Sequence, residues 1–434
     1  MPNLRRLNMK TMLFNGLPAV YENGKWIIVS ASFGDIVSLS DEEIYSSEVR
    51  DILAKRGFFE IQKDQDANNS SLVTLITTSD CNLNCRYCFA NSGVSRKNMS
   101  SEIAIASIER AIKNAQGKKL AVSFFGGEPT ITEDLIKEVV VLVNEKTRNT
   151  KITEVEFCIS TNGMTTPSFL NFLIENNFTI TLSMDGIPKI QDYQRPLKNG
   201  GKSSEIVEKT IRHLVSRNKE FMIRSTITDY SVDYMVQMIE WLHRIGAKKV
   251  HFEPISIAGR AAMIKESGKT LKKPSAKSFI ENLKESIIRG NELGVSVLNF
   301  SYMNLVNTPQ EFCNGIMNNR FAVSYTGDIT TCVEVQDKCH PAAETFILGK
   351  YSHKTKQIIT LKDMRGHACK TIANTLKNED CTNCFAKNVC GGGCPVRNFH
   401  TTGDSIIVDP YWCELVKEML PFVLRLLAEE TFDK

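Results

Sequence analysis

The chain has 434 residues, of which 42% are hydrophobic and 24% are charged, a composition typical of a globular protein with sizeable cores. At about 150 residues per domain, this length predicts two to four domains. Because 53 basic and 49 acidic residues leave a net charge of only +4, the composition predicts neither a nucleic-acid partner nor a membrane surface.

The N-terminus and the cysteine content together indicate a reducing compartment. The apolar stretch at residues 12–20 is too short and too interrupted for a signal peptide, and no run reaches the roughly 18 apolar residues of a membrane span. Thirteen cysteines in a long chain without an export signal are typical of metal binding rather than of disulfides. We therefore expect a cytoplasmic protein.

Residues 1–70 predict a small α+β extension ahead of the main domain. Strand patterns cover residues 12–22 and 25–39, and a capping box introduces a helix over residues 41–55. Polar residues 62–71 predict a linker. Such an extension is either a cap on the main domain or a small module that binds a peptide.

Strand and helix patterns then alternate six times. The apolar strand runs cover residues 72–77, 120–125, 154–160, 178–183, 221–227 and 249–254. The helical stretches cover residues 101–115, 133–146, 167–176, 204–217, 231–245 and 275–293. Continuous apolar strands separated by helices predict a parallel sheet, whose chemistry gathers at the carboxyl ends of the strands.

Three cysteines, Cys81, Cys85 and Cys88, follow the first of these strands with the spacing Cx3Cx2C. A 4Fe–4S cube takes four ligands, so three thiolates leave one iron open for a substrate or cofactor. Tyr87 and Phe89 flank the last cysteine and would exclude water. A structural zinc site or a chance cluster is the alternative, but zinc sites usually take their ligands in pairs, and no fourth Cys or His lies nearby.

This motif, with an aromatic residue before its third cysteine, resembles the signature of the radical S-adenosylmethionine (SAM) enzymes. The resemblance implies an α/β fold with a partial (β/α)6 TIM-like barrel over residues 71–300, and SAM bound at the open iron of the cluster. It also implies SAM contacts at the strand ends, through Gly126, Gly127, Glu128, Ser160, Asn162 and Ser183. Gly-Gly-Glu is a weak signal alone, but its place one βα unit after the cysteines strengthens it.

Further polar residues lie near the ends of the last three strands. Arg195 belongs to a stretch similar to the SxDG…DxxR run of peptide-modifying members, from which Lys202 departs. It is a candidate for the SAM carboxylate, with a loop salt bridge as the alternative. Arg224 and Glu253 either face the mouth of the barrel or are solvated charges.

The C-terminal region, residues 301–434, contains nine of the cysteines. Short cysteine loops, three consecutive glycines and a Cys-Pro ending are typical of iron–sulfur sites. The pattern resembles the SPASM domain that follows peptide-modifying radical SAM barrels, and seven cysteines match in order and spacing. These are Cys313, Cys332, Cys381, Cys384, Cys390, Cys394 and Cys413. A zinc ribbon on four of them would leave the other three without a role.

The resemblance also implies how these ligands divide. One auxiliary 4Fe–4S cluster would take Cys381, Cys384, Cys390 and Cys413, and a second would take Cys313, Cys332 and Cys394. The second cluster lacks a fourth cysteine, so its last iron is open or is bound by Cys339, by the more distant Cys369 or by substrate. Cys158, inside the third strand, is predicted to be a core thiol.

A radical SAM enzyme of this kind cleaves SAM to a 5′-deoxyadenosyl radical, which removes hydrogen from its substrate. The leading interpretation is a maturase that forms a Cys thioether, or a carbon–carbon crosslink, in a ribosomally synthesised precursor peptide. The electron would come from a reductant such as flavodoxin or ferredoxin. The residue that acts as general base is not evident in the sequence.

Two alternatives remain. The first is an anaerobic sulfatase maturase that makes formylglycine. Those enzymes carry an Asp close after the Gx4C cysteine, where this chain has Val333-Glu334, and they lack a long N-terminal extension. The second is a non-catalytic iron–sulfur electron carrier, which would not need Gly126-Gly127-Glu128 or the polar strand ends.

Overall fold

The computed structural model describes residues 10–14, 17–22, 24–30, 35–58, 70–115, 119–263, 271–302, 320–361, 375 and 377–432. Two cysteines considered as cluster ligands, Cys313 and Cys369, lie outside the described residues, as does most of the predicted linker. None of the helices that the structure describes has the length and apolar character needed to span a membrane.

The N-terminal region forms a four-stranded antiparallel sheet and two short helices. The strands, in order across the sheet, are β1 (Lys10–Phe14), β2 (Leu17–Glu22), β3 (Lys25–Val29) and β4 (Ile36–Leu39), followed by α1 (Asp41–Tyr45) and α2 (Ser47–Lys55). Each predicted strand is thus two strands. The predicted single helix is broken at Ser46, whose extended backbone and hydroxyl start a new helix by accepting from the Val49 amide.

The central region confirms the predicted parallel sheet. Its strands are β5 (Ser70–Thr78), β6 (Lys119–Gly126), β7 (Glu154–Thr161), β8 (Thr179–Ser183), β9 (Phe221–Ile227) and β10 (Lys249–Pro254), all parallel and adjacent in chain order. Helices follow the strands: α3 (Ser101–Asn114), α4 (Glu133–Thr147), α5 (Pro167–Glu175), α6 (Pro188–Gln194), α7 (Ser204–Ser216), α8 (Met235–Arg244), α9 (Arg260–Met263) and α10 (Ala276–Leu293). This is the predicted partial barrel.

Alternate residues of each strand face opposite sides of this sheet. Apolar side chains such as Leu75, Phe124 and Ile159 are buried in the core on the helix-covered side. The half-buried residues between them, including Ser160 and Ser183, therefore face the inside of the barrel. Polar strand residues thus line the interior.

Five further strands extend the sheet. Strand β11 (Ser296–Leu298) pairs with β10, and β12 (Arg320–Val323) pairs in parallel with β5. Antiparallel strands β13 (Asp328–Thr330), β14 (Ile347–Ser352) and β15 (Gln357–Thr360) follow from β12. The C-terminal region therefore begins as a continuation of the barrel sheet, beside the strand that leads into Cys81.

The remaining helices complete the C-terminal region. They are α11 (Ala343–Phe346), α12 (Glu379–Thr382), α13 (Lys387–Cys390), α14 (Pro395–Thr402) and α15 (Pro410–Phe432). The apolar face of α15 packs in one core with α10 and with Val20 and Val29 of the N-terminal sheet. This helix thereby joins the barrel, the C-terminal region and the N-terminal sheet.

Candidate functional site

The three N-terminal cysteines lie on a loop that folds back over the end of β5. The sulfur of Cys81 accepts from the Leu83 amide and that of Cys88 from the Ser92 amide, both at 3.4 Å. Burial raises the pKa of the Cys85 thiol to about 12, and burial followed by the neighbouring Cys85 raises the pKa of Cys81. Such buried thiols ionise only against a compensating positive charge, which bound iron supplies.

Among the residues that the structure describes, no three Cys, His, Asp or Glu side chains converge as ligands of one metal ion. The preference for an iron–sulfur cluster over zinc therefore rests on the spacing of the cysteines.

The glycines of Gly126-Gly127-Glu128 pack against the loop that leads into Cys81. A Cβ on Gly126, whose φ is +146°, would lie 2.5 Å from the Thr78 carbonyl oxygen, and one on Gly127 would lie 2.0 Å from that of Asp80. The Gly127 and Glu128 amides donate to the same two carbonyls at 2.8 Å. In this structure the glycines permit contact between two backbones, where the sequence predicted an approach to a ligand.

Glu128 and Asn162 connect neighbouring strand ends. The Glu128 carboxylate, only 1% exposed, accepts from the Thr161 hydroxyl and the Asn162 amide, each at 2.7 Å. The Asn162 side chain donates to Asn82 Oδ1 at 2.7 Å and lies 3.7 Å from the Cys81 sulfur. Both residues thus fix the position of the cysteine loop.

Ser160 and Ser183 differ from these residues because their hydroxyls remain available. Each is half-buried inside the barrel, and neither hydroxyl bonds to any residue in the described part of the chain. Ser183 is paired in register with Arg224 of β9. Two of the predicted strand-end residues therefore present free hydrogen-bonding groups to the interior.

Asp185 organises a buried group beside the cysteines. It accepts from the Tyr87 hydroxyl at 2.5 Å and from the Gln194 amide at 2.7 Å, and Arg195 Nε lies 3.1 Å from its other oxygen. The predicted salt bridge of Arg195 is therefore present. The two terminal guanidinium nitrogens of Arg195 donate to none of the described residues, so these nitrogens can bind a carboxylate.

Arg260 is a residue of the site that the sequence did not reveal. Its guanidinium donates to the carbonyl oxygens of Cys85 at 2.6 Å and Ser92 at 2.8 Å, and its amide donates to that of Cys88 at 2.9 Å. The preceding Gly259 has no room for a side chain, because its Cβ would lie 2.0 Å from the Phe89 carbonyl oxygen. The turn after β10 thus clamps the cysteine loop.

We expect Arg260→Ala to lower the free energy of unfolding by roughly 2 kcal/mol, because two carbonyl oxygens lose charged donors. The reconstituted variant should also lose iron faster than the parent. Thermal unfolding and iron per chain measure both effects. Arg244→Ala, which removes an exposed arginine of α8, is the matched control. Equal stability and equal iron content of the two variants would contradict the role of Arg260 in holding the cysteine loop.

A second polar group lies where β9 and β10 meet α14. Glu253, 2% exposed, forms an ion pair with Arg397 and accepts from His251 at 3.0 Å and from Asn299 at 3.4 Å. Burial alone would raise the pKa of Glu253, but Arg397, His251 and Arg224 together hold it at about 2. Arg224 and Glu253 thus both lie inside the molecule rather than in solvent.

Glu334 stands next to this group, two residues after Cys332. Its Oε2 accepts no hydrogen bond from the described residues and lies 4.0 Å from His400 Nδ1. His400 also contacts the Ser256 hydroxyl at 3.0 Å and His340 at 3.4 Å. Burial raises the pKa of Glu334, against the influence of Arg397 and Arg224.

The described C-terminal cysteines fall into two groups. Burial and then the neighbouring thiols of Cys381 and Cys384 raise the pKa of Cys413, and burial and then Cys413 raise the pKa of Cys390, so these four cysteines lie close together. Cys332 and Cys394 instead pack against one small apolar cluster. Among the other cysteines, Cys339 is exposed, and the half-buried Cys158 contacts Glu156, so it is less buried than the predicted core thiol.

Comparison with known proteins defines the class. Residues 75–242 match the family model described as "Radical SAM superfamily". The chain therefore contains a radical SAM domain, and its cofactors are a 4Fe–4S cluster and SAM. This confirms the predicted resemblance to the radical SAM enzymes.

More particular relatives share most of the chain. The cysteine-type anaerobic sulfatase-maturating enzyme of Clostridium perfringens is 24% identical over 377 residues, which cover 82% of this chain and 97% of that protein. The structure of anSMEcpe with bound AdoMet and Cp18Cys peptide has a TM-score of 0.66 at 23% identity, covering 84% of this chain and 99% of the other. Streptococcus suis SuiB bound to precursor peptide SuiA has a TM-score of 0.53 at 15% identity, covering 93% and 99%. The shared fold and the C-terminal cysteines fit a SPASM-type radical SAM enzyme.

Proposed function

We propose that this enzyme oxidises a cysteine or serine side chain of a polypeptide, the formylglycine-forming reaction that the sequence placed second. The similarity to sulfatase-maturating enzymes over most of both chains favours this oxidation over a thioether crosslink. The observation that carries the proposal is the position of Glu334, two residues after Cys332 and beside the polar group at the ends of β9 and β10. A carboxylate at this place suits a reaction that releases a proton.

Cys81, Cys85 and Cys88 would hold the cluster, and the free groups of Ser160, Ser183 and Arg195 are candidates for SAM. When bound, the cluster and SAM supply an electron and a 5′-deoxyadenosyl radical, which takes a hydrogen atom from the substrate. The chain itself positions these ligands through Gly126, Gly127, Glu128 and Asn162. The stacked rings of Phe89 and Phe125, 6.4 Å apart, exclude water beside the loop.

The C-terminal cysteines would hold the auxiliary clusters. We assign Cys381, Cys384, Cys390 and Cys413 to one cluster, and Cys313, Cys332 and Cys394 to the other. The proximity of the described members within each group supports this division. Positive φ angles at Gly391, Gly392 and Gly393 bend the backbone around the Cys390 thiol. A flavodoxin- or ferredoxin-like reductant would provide the first electron.

Glu334 would accept the substrate proton. When the carbon that bears the thiol or hydroxyl has lost a hydrogen atom, formation of a double bond releases one proton and one electron. The proton would pass to Glu334, and the electron would pass to an auxiliary cluster held by the C-terminal cysteines. The Oε2 atom of Glu334 has no hydrogen-bond partner among the described residues, so it is available for that proton. Sulfatase maturases have an aspartate close after the corresponding cysteine, where this chain has Glu334. Glutamate has a longer side chain than aspartate but the same carboxylate group, so it can accept a proton in the same way.

The test is mass analysis of a short peptide after anaerobic incubation with reconstituted enzyme, SAM and dithionite. A cysteine that becomes an aldehyde loses its sulfur, and the product reacts with a hydrazine. A serine that becomes the same aldehyde loses two hydrogens. Formation of 5′-deoxyadenosine with neither product, across varied cysteine and serine peptides, would contradict the proposed oxidation.

A thioether crosslink is the second candidate, because the N-terminal sheet offers a place for a precursor peptide. Strand β1 is an edge strand of that sheet, and an extended peptide can pair with such an edge. The structural match to SuiB covers 93% of this chain, whereas the match to the sulfatase-maturating enzyme covers 84%. A crosslinked product would keep its sulfur, lose two hydrogens and resist alkylation.

A further inference from the structure

A cavity of about 170 Å³ lies between the end of β10 and the C-terminal region. Ile255 and Ile257 form one wall, and Arg397, His400 and Tyr411 contribute polar atoms to the others. Through His400 the cavity borders Glu334. None of the cysteines that the structure describes lines it.

Several side chains in the wall of the cavity have hydrogen-bond donors to spare. The Tyr411 hydroxyl is buried and has no hydrogen-bond partner in the described part of the chain. Lys273 Nζ lies 4.7 Å from the centre of the Tyr411 ring and donates to Asp409 at 3.2 Å, which leaves further N–H bonds free. Arg397 pairs with Glu253 through a single terminal nitrogen.

The carboxylate in the wall of the cavity is already occupied. Asp409, the one carboxylate among the described lining residues, accepts from Lys273 and from the Tyr411 amide. A buried hydrogen-bond donor without an acceptor costs free energy. An ionised acceptor such as a carboxylate forms the strongest hydrogen bond with such a donor. The cavity is therefore suited to a ligand that brings its own carboxylate.

We propose that this cavity binds a carboxylate of the peptide substrate, close to the residue that is modified. The carboxylate comes from an acidic side chain or from the C-terminus of the peptide. Tyr411 and Lys273 bind it directly, while Ile255 and Ile257 contact the attached methylene groups. The identity of the ligand as a peptide rests on the proposed function, whereas the preference for a carboxylate rests on the cavity.

Three synthetic probes test this inference on the reconstituted full-length enzyme by anaerobic calorimetry. They are acetyl-Ala-Cys-Ala-Glu-Ala-amide, the same peptide with Gln in place of Glu, and the Gln peptide with a free C-terminal carboxylate. We expect a peptide with a carboxylate to bind about tenfold more tightly than the neutral one. Which of the two binds more tightly identifies the source of the carboxylate.

Variants locate the binding site. Tyr411→Phe removes a hydroxyl that bonds to no described residue, so the fold should be unaffected while most of the carboxylate preference is lost. Lys273→Gln should have the same effect through a second donor. Tyr45→Phe, on a ring that is 70% exposed in α1, should keep the preference.

Equal affinity for the three probes, or a preference that survives both variants, would overturn the assignment. The same peptides are then incubated with SAM and dithionite and analysed by mass. If all three become aldehydes at equal rates and affinities, the cavity assignment fails and the proposed function stands. If the preference exists but no peptide is oxidised, the proposed function fails and the cavity assignment stands.

Discussion

Replacing Cys81, Cys85 and Cys88 together by alanine is expected to reduce formation of 5′-deoxyadenosine to background. These thiols are the proposed ligands of the cluster that binds SAM, so the variant has no thiolates left to hold that cluster. Iron bound by the C-terminal cysteines should remain. Chromatography of the nucleoside product and iron per chain measure the two effects separately.

The control for this variant is Cys158→Ala, which removes a half-buried thiol of the same barrel outside the cysteine loop. It should cleave SAM at the rate of the parent. Continued 5′-deoxyadenosine production by the triple variant would show that SAM is cleaved elsewhere. Equal loss in both variants would indicate damage to the barrel.

Glu334→Gln is expected to keep SAM cleavage and to reduce peptide oxidation by roughly 100-fold or more, the usual loss when a general base is removed. Glutamine has nearly the size of glutamate, so the packing around residue 334 should be preserved. The nearby Arg224 and Arg397 then face a neutral amide in place of a carboxylate. The ratio of oxidised peptide to 5′-deoxyadenosine is the measured quantity.

Glu414→Gln, an exposed residue of α15, is the matched control and should leave that ratio unchanged. Glu334→Asp restores the carboxylate and should recover part of the oxidation. A parallel fall of nucleoside and peptide product in Glu334→Gln would assign the residue a structural role. An unchanged ratio would remove it from the mechanism.

The barrel could be predicted because its strands are long, apolar and separated by helices. The predicted strand at residues 154–160 is Glu154–Thr161, and the one at 249–254 is Lys249–Pro254. The N-terminal strands could not be divided in the same way. Phe14 pairs with Leu17, so only two residues separate β1 from β2, and the apolar pattern continues across them.

The site could be predicted only where its signal is local. The cysteine spacings and Gly126-Gly127-Glu128 are contiguous motifs, but the sequence did not show that the glycines meet the backbone of residues 78–80. Arg260 and Arg397 carry no motif, because Arg260 acts on Cys85, 175 residues earlier, and Arg397 on Glu253, 144 residues earlier. Such contacts come from the fold rather than from neighbouring residues.

We propose that this enzyme removes a hydrogen atom from the side chain of a peptide. The most direct measurement uses a cysteine peptide carrying deuterium on its β-carbon, incubated anaerobically with the reconstituted enzyme, SAM and dithionite. We expect deuterium in the 5′-deoxyadenosine that accumulates with oxidised peptide. Unlabelled 5′-deoxyadenosine accompanying full conversion of the deuterated peptide would contradict it.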